Sequence, residues 1–252
     1  MMSTFVQNNL KADIIETINP RIGLIALSTD FTIEQDYRNI CHQIPVDIFV
    51  NRIPFENPLN HENYLKMSKH IPEVSAQILP NQKIDVIAYG CTSGTIAIGA
   101  EKITEQIHKA KPDCLVTTPI TAAIKAFKKL SLKKIAVLTP YPKDVNLTVF
   151  NYLKENDFEI DSFNSFNLNY DSEIAQVSLE SLMTQISKIN LKNIDGLFVS
   201  CTALKIVDIL DEVEKEFKIN VVSSNQALIW DCLNLLNIKN NVFDYGNLFR
   251  VN

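Results

Sequence analysis

The segments Ile84-Asp85-Val86-Ile87-Ala88-Tyr89-Gly90-Cys91-Thr92 and Ile194-Asp195-Gly196-Leu197-Phe198-Val199-Ser200-Cys201-Thr202 repeat one layout: an Ile-Asp opening, a short apolar run, a small residue, then Cys-Thr. Apolar runs this short, without alternation, fit parallel strands buried on both faces. The residues that follow, Ser93 to Glu105 and Ala203 to Phe217, have the spacing of amphipathic helices. Each cysteine is therefore expected where a strand ends and a helix begins, which is where ligands bind in open α/β sheets. A helix start offers free N–H groups and a positive dipole end, which stabilise a thiolate and hold anions. Two such thiols, far apart in the chain, predict two halves that contribute one reactive group each.

The rest of the chain fits this plan. Strands are expected at Arg21 to Leu27, Val46 to Ile53, Ile84 to Tyr89 and Cys114 to Thr117, with helices at Ile33 to His42, His61 to Leu79, Thr95 to Lys109 and Ile120 to Leu130. A second series has strands at Lys134 to Leu138, within Phe158 to Phe166, at Gly196 to Ser200 and at Ile219 to Val222. Its helices are expected at Asp144 to Glu155, Asp171 to Ile189, Ala203 to Phe217 and Ser224 to Leu236. Strictly alternating elements of these lengths predict right-handed βαβ units and parallel sheets covered by helices. The fold class is thus α/β, with two similar parallel-sheet halves facing each other across a cleft. No Gly/Ser-rich linker separates them, and the break is expected near Leu130 to Lys134. The first half is read as 1–130 plus 219–252, and the second as 131–218 with Cys201.

Composition sets outer limits. A chain of 252 residues with 46% hydrophobic content can bury a substantial core. A net charge of −5 argues against a broad nucleic-acid surface; Lys125, Lys128, Lys129, Lys133 and Lys134 read as the solvated face and C-terminal end of a helix. Met1 to Asn9 lacks the basic start and apolar core of a signal peptide, and no apolar run is long enough to span a membrane, so a cytoplasmic location is expected. The five cysteines, at no framework spacing, read as free thiols in a reducing compartment, with Cys41, Cys114 and Cys232 structural.

Three of the six glycines, Gly90, Gly94 and Gly99, cluster around Cys91, where they permit a tight turn and close approach of backbone to a ligand. Neither zinc-type ligand pairs nor a phosphate loop occurs, and His42, His61, His70 and His108 are scattered away from the key cysteines. No metal and no cofactor are expected. A Cys/His hydrolase would need a histidine that nothing in the sequence places beside a thiol. Two thiols on opposite sides of one carbon can instead act as paired acid and base.

The strings Tyr89-Gly90-Cys91-Thr92-Ser93-Gly94-Thr95 and Ser200-Cys201-Thr202, with Thr118-Pro119 and Thr139-Pro140-Tyr141 between them, resemble the aspartate/glutamate racemase superfamily. The likeness is greatest to the branch of maleate cis–trans isomerase, arylmalonate decarboxylase and ectoine-utilisation proteins. It spans nearly the whole chain, from Gly23-Leu24-Ile25 to the last helix. The resemblance implies a pseudo-two-fold cleft, no cofactor, a small carboxylate substrate and a catalytic pair, Cys91 and Cys201. It assigns carboxylate or oxyanion contacts to Thr92, Ser93, Thr118, Tyr141 and Thr202. In arylmalonate decarboxylases the first cysteine position is glycine, so Cys91 favours isomerisation or racemisation over decarboxylation.

One departure bears on the substrate. Where maleate isomerases carry an asparagine after the first strand, this chain has Asp30. A carboxylate there repels a dicarboxylate and suits an ammonium or another hydrogen-bond donor; equally, Asp30 is a good cap for the following helix. Within Asn167-Leu168-Asn169-Tyr170-Asp171 the second polar contact of the family aligns to no single residue. A catalytically silent carboxylate-binding protein, or a thiol sensor using the same cleft, is the competing reading, and a homo-oligomer stays open.

Overall fold

A computed structural model describes residues 7–15, 19–239 and 242–251. The reading of Met1 to Asn9 therefore falls largely outside the described residues. The chain runs β1 (Arg21–Leu27), α1 (Ile33–Ile40), β2 (Asp47–Ile53), α2 (His61–Met67), α3 (Ile71–Gln77), β3 (Val86–Gly90), α4 (Thr92–Ile98), α5 (Ala100–His108), β4 (Leu115–Thr117) and α6 (Pro119–Lys129). It continues with β5 (Lys134–Thr139), α7 (Lys143–Glu155), β6 (Glu159–Ser165), α8 (Asp171–Ile174), α9 (Leu179–Ile186), β7 (Gly196–Val199), α10 (Leu210–Phe217), β8 (Asn220–Ser223), α11 (Ser224–Leu235) and α12 (Asn247–Arg250).

Two four-stranded parallel sheets result, ordered β2-β1-β3-β4 and β6-β5-β7-β8. The order is the same in both, so β3 and β7 hold equivalent positions, and so do the cysteines that follow them. In each sheet the inner strands are almost wholly buried and the outer strands β2 and β6 are half exposed. That difference explains why the inner strands read as unbroken apolar runs.

The boundary at residue 219 needs correction. Strand β8 was expected with the first half, yet it pairs in parallel with β7, Gly196 opposite Asn220 and Val199 opposite Ser223. The crossover through α10 sets it beside β7, just as the crossover through α4 and α5 sets β4 beside β3. The chain returns only afterwards: α11 packs against α6, α1, β3 and β4, while α6 touches β8. The two helices that follow the fourth strands thus meet between the halves. Each starts with a reciprocal capping box, Thr118 with Thr121 and Ser223 with Gln226.

Three expected long helices are broken. Pro72, which has no N–H to donate, stands at the start of α3 after a 3-10 turn at Ser68–His70. Gly99 adopts φ 95° and divides α4 from α5. The helix expected from Asp171 to Ile189 is two shorter ones, α8 and α9. The core joins both sheets and their helices, with Phe127 of α6 edge-on to Phe198 of β7 and Phe158.

Candidate active site

Cys91 lies at the N-cap of α4, and its Sγ accepts the Gly94 N–H at 3.2 Å. The local sequence leaves room for that sulfur and little more: a Cβ on Gly94 would meet Sγ at 2.7 Å, and one on Gly90 would meet Ile33 Cδ1 at 2.7 Å and the Ile25 carbonyl at 3.0 Å. The glycine cluster therefore seats the thiol.

Cys201 departs from expectation. No helix starts beside it; α10 begins at Leu210, and residues between form a loop with a 3-10 turn at Val207–Ile209. Ala203, Leu204, Ile206 and Val207 are all buried, and before Leu210 only Lys205 and Asp208 reach solvent, too narrow a face for an amphipathic helix. Thr32 Oγ1 fixes the loop by donating to the Ala203 carbonyl at 2.9 Å. Cys201 Sγ accepts one N–H, from Ala203 at 3.4 Å.

The thiols are brought to one place by side chains that bridge the halves. Ser224 Oγ accepts both the Thr92 hydroxyl at 2.9 Å and the Cys201 N–H at 3.1 Å. Thr202 Oγ1 donates to the Gly90 carbonyl at 3.4 Å, and Asn225 Nδ2 donates to the Thr202 carbonyl at 2.7 Å and to Asp36 at 2.6 Å. Tyr64 and Tyr141 each sit within electrostatic reach of both sulfurs, and the Tyr141 hydroxyl lies close enough to Cys201 to lower its thiol. Ser93 Oγ is 4.0 Å from Cys91 Sγ and beside the Tyr64 hydroxyl. Above them the halves are tied together: Leu59 N–H donates to the Asn169 carbonyl at 2.9 Å, and Asp171 N–H to Asn57 Oδ1 at 3.4 Å. Cys91 and Cys201 are only 3% and 5% exposed.

The described side-chain bonds of Thr118 all go to Thr121, where it caps α6. Asp30 divides its two oxygens between the alternatives. Oδ1 accepts the N–H groups of Thr32 at 2.7 Å and Ile33 at 2.9 Å, which is the capping role. Oδ2 is buried without a hydrogen-bond partner, although Thr202 lies beside the carboxyl. Of the unaligned segment, Asp171 is the residue that reaches this group: its carboxyl is buried, accepts the Thr29 hydroxyl and bears on both sulfurs and on Asp30. The Tyr64 hydroxyl and Ser200 Oγ are likewise buried without a partner.

Burial sets the electrostatics. Desolvation pushes the Cys91 thiol up to about 12, with the Gly94 N–H opposing and Asp171 and Asp30 adding to the rise. The Cys201 thiol is raised too, by burial first and then by Asp171. Burial also raises Asp30, against its two backbone N–H bonds, and lifts Asp171 to about 6, against the Thr29 hydroxyl and with help from Asp30. Two buried thiols thus share one hydroxyl-rich neighbourhood with Tyr64, Tyr141, Asp30 and Asp171. Such a site can hold a small acid on O–H groups and exchange protons with it from two sides.

Sequence reasoning did not find Tyr64, Asp171, Ser200, Ser224 or Asn225. Asp171 lay in a segment marked as unassigned, and Ser223-Ser224 after β8 mirrors Thr118-Pro119 after β4, a signal readable once the sheets are paired.

Comparison with known proteins gives a consistent result. The family model described as arylmalonate decarboxylase matches residues 57–249. The maleate isomerase of Nocardia farcinica is 22% identical over 248 residues, covering 91% of this chain and 95% of its own length. That of Geobacillus stearothermophilus is 24% identical over 246 residues, with coverage of 90% and 96%. Among solved structures, a maleate isomerase of Pseudomonas putida S16 with maleate superposes with a TM-score of 0.85 at 19% identity, covering 92% of this chain and 98% of that one. A Nocardia farcinica maleate cis–trans isomerase mutant with a covalently bound succinylcysteine intermediate gives 0.85 at 21% identity, covering 92% and 99%.

Proposed function

This chain belongs to the arylmalonate decarboxylase family, and from that premise we propose that it is a cofactor-independent isomerase of a small carboxylic acid in which Cys91 and Cys201 are the catalytic pair. One observation carries the proposal: two buried thiols, just after equivalent strands of the two halves, bear on the same two tyrosines and the same two carboxyls. Cys91 itself supports isomerisation or racemisation over decarboxylation, as does the similarity to maleate isomerases along nearly their full length.

In racemisation, one sulfur as thiolate takes the α-proton; the C–H bond breaks, its electron pair spreads into the carboxylate, and the opposite thiol gives its proton to the other face. In cis–trans isomerisation, one thiolate adds to the double bond, the resulting single bond rotates, and the thiolate leaves again. The hydroxyls of Tyr64, Ser93, Tyr141 and Thr202 are the groups we assign to the substrate carboxylate, since O–H donors aimed at a developing oxyanion stabilise it best where water is excluded. A cytoplasmic setting suits thiols that must stay reduced: all five cysteines are free and buried. Among the described residues no helix is long and apolar enough to cross a membrane.

Incubation of candidate acids with the protein in deuterium oxide tests the proposal by proton NMR. Exchange at the α-carbon with inversion, or loss of a cis vinyl signal, is expected for at least one small acid. Binding without exchange or isomerisation across a broad panel would leave a silent carboxylate-binding protein instead.

A further inference from the structure

The geometry points to a substrate that carries a cationic nitrogen beside its reacting carbon, held between Asp30 and Asp171, and not to a dicarboxylate dianion. This rests on the two-thiol reading above and deepens it by naming the substrate class.

Asp30 and Asp171 are both buried, one from each half of the molecule, and each bears on Cys91, on Cys201 and on the other. No ion pair among the described residues reaches either carboxyl. The cation that bears on Asp30 is Arg52, and its guanidinium is already engaged: it pairs with Glu34 at 2.6 Å and donates to the carbonyls of Leu27 at 3.0 Å and Asp30 at 2.8 Å. A buried carboxylate without a counter-charge is costly, so the site is short of positive charge. A dicarboxylate would add two more negative charges to it.

Unmet hydrogen bonds point the same way and show where each end of the ligand belongs. Asp30 Oδ2, with Thr202 beside its carboxyl, is a buried acceptor with no hydrogen bond in the structure and bears on both sulfurs; the Tyr64 hydroxyl, beside Ser93, is a buried donor with none. An α-amino acid meets both needs. Its ammonium donates to Asp30 Oδ2 and Asp171, and its carboxylate accepts from Tyr64, with Ser93 and Tyr141 nearby. That pose sets the α-carbon between the two kinds of group, both of which bear on the two thiols. A cation there also favours the thiolate that burial and the two carboxyls otherwise oppose. The step is then the proton transfer described above: one thiolate gains the α-proton, the opposite thiol loses its own, and the two sulfurs end with their protonation states exchanged.

The test compares matched pairs on the full-length protein: D- and L-alanine against propionate, D- and L-aspartate against succinate, D- and L-glutamate against glutarate, with maleate as the dianion probe. Binding is read by calorimetry and exchange by proton NMR in deuterium oxide. At least one amino member is expected to bind and exchange, and to bind about a hundredfold more tightly than its des-amino partner, the scale of losing one partner of a desolvated charge pair. In Asp30→Asn/Asp171→Asn, that preference should shrink below about tenfold and maleate binding should strengthen. Asp171→Asn alone, which leaves the Asp30 cap of α1 in place, serves if the double variant does not fold, and should move both affinities in the same directions. Wild-type protein that binds maleate or succinate as tightly as any amino acid, or binds no amino member at millimolar concentration, overturns the inference. So does an amino-acid preference that the asparagine variants leave unchanged. Turnover that survives loss of either thiol would defeat the two-thiol reading itself, whatever the substrate preference.

Discussion

Replacing Asp171 with asparagine removes a buried charge while keeping the shape of the side chain, and the effect on stability should depend on pH in a calculable way. The Asp171 carboxyl is lifted from an ordinary 3.8 to about 6, chiefly by burial. The folded state therefore holds this proton more tightly than the unfolded chain does. Its contribution to stability is fully present below the unfolded value of 3.8 and is lost as the pH climbs through about 6. The span between those values corresponds to at most about 3 kcal/mol. Asparagine has no such proton to lose, and its Oδ1 still accepts the Thr29 hydroxyl. The variant should therefore match the wild type within about 1 kcal/mol near pH 4 and exceed it by about 2 kcal/mol at pH 8, allowing for an imperfectly paired amide N–H. Urea unfolding of both proteins at pH 4, 6 and 8, with equal m-values, measures the difference. A gap that is the same at pH 4 and pH 8 would refute the reasoning, because it would mean that Asp171 titrates normally in the folded protein.

Gly94→Ala should cut turnover at least tenfold, because a methyl group 2.7 Å from Cys91 Sγ must displace the sulfur; thermal unfolding should shift little, since alanine favours the helix by about 1 kcal/mol, and an unchanged rate would show that the sulfur position is not critical. With the Cys91 thiol raised to about 12, kcat/KM should climb by about tenfold per pH unit between pH 7 and 9 as the thiolate population grows. A plateau below pH 8 would indicate a thiol already ionised. Cys114→Ala, in a position remote from the cleft beside Lys111, should leave kcat and KM within about twofold of wild type, and a loss as large as that for the two site cysteines would contradict the division of the five thiols made here.

The parts legible in the sequence are those fixed by local pattern. Unbroken apolar runs announced the inner strands β3 and β7, and the Ile-Asp and Cys-Thr repeat announced their equivalence, which the matching strand orders bear out. Helix lengths were less legible. A single residue such as Pro72 or Gly99 ends a helix whose apolar spacing continues past it. The loop after Cys201 carries an apolar pattern that reads as a helix, yet burial of most of its side chains and the bond from Thr32 hold it as irregular chain. Tyr64 and Asp171 escaped for a different reason. They reach the sulfurs from opposite halves through packing at the seam, and no spacing along the chain encodes a meeting between residues so far apart. The strand β8 was misassigned because one buried β-strand carries no mark of the sheet to which it pairs; register with β7 decides that.

The claim at the centre of this account is that Cys91 and Cys201 work as one unit on one carbon from two sides. Steady-state turnover of Cys91→Ser, Cys201→Ser and the double variant, on the acid identified by exchange, tests it most directly. Each single variant should fall by about three orders of magnitude or more, and the double variant should be no worse than the poorer single one, as for groups that act together. Turnover within about tenfold of wild type in either single variant, or losses that multiply in the double variant, would contradict it.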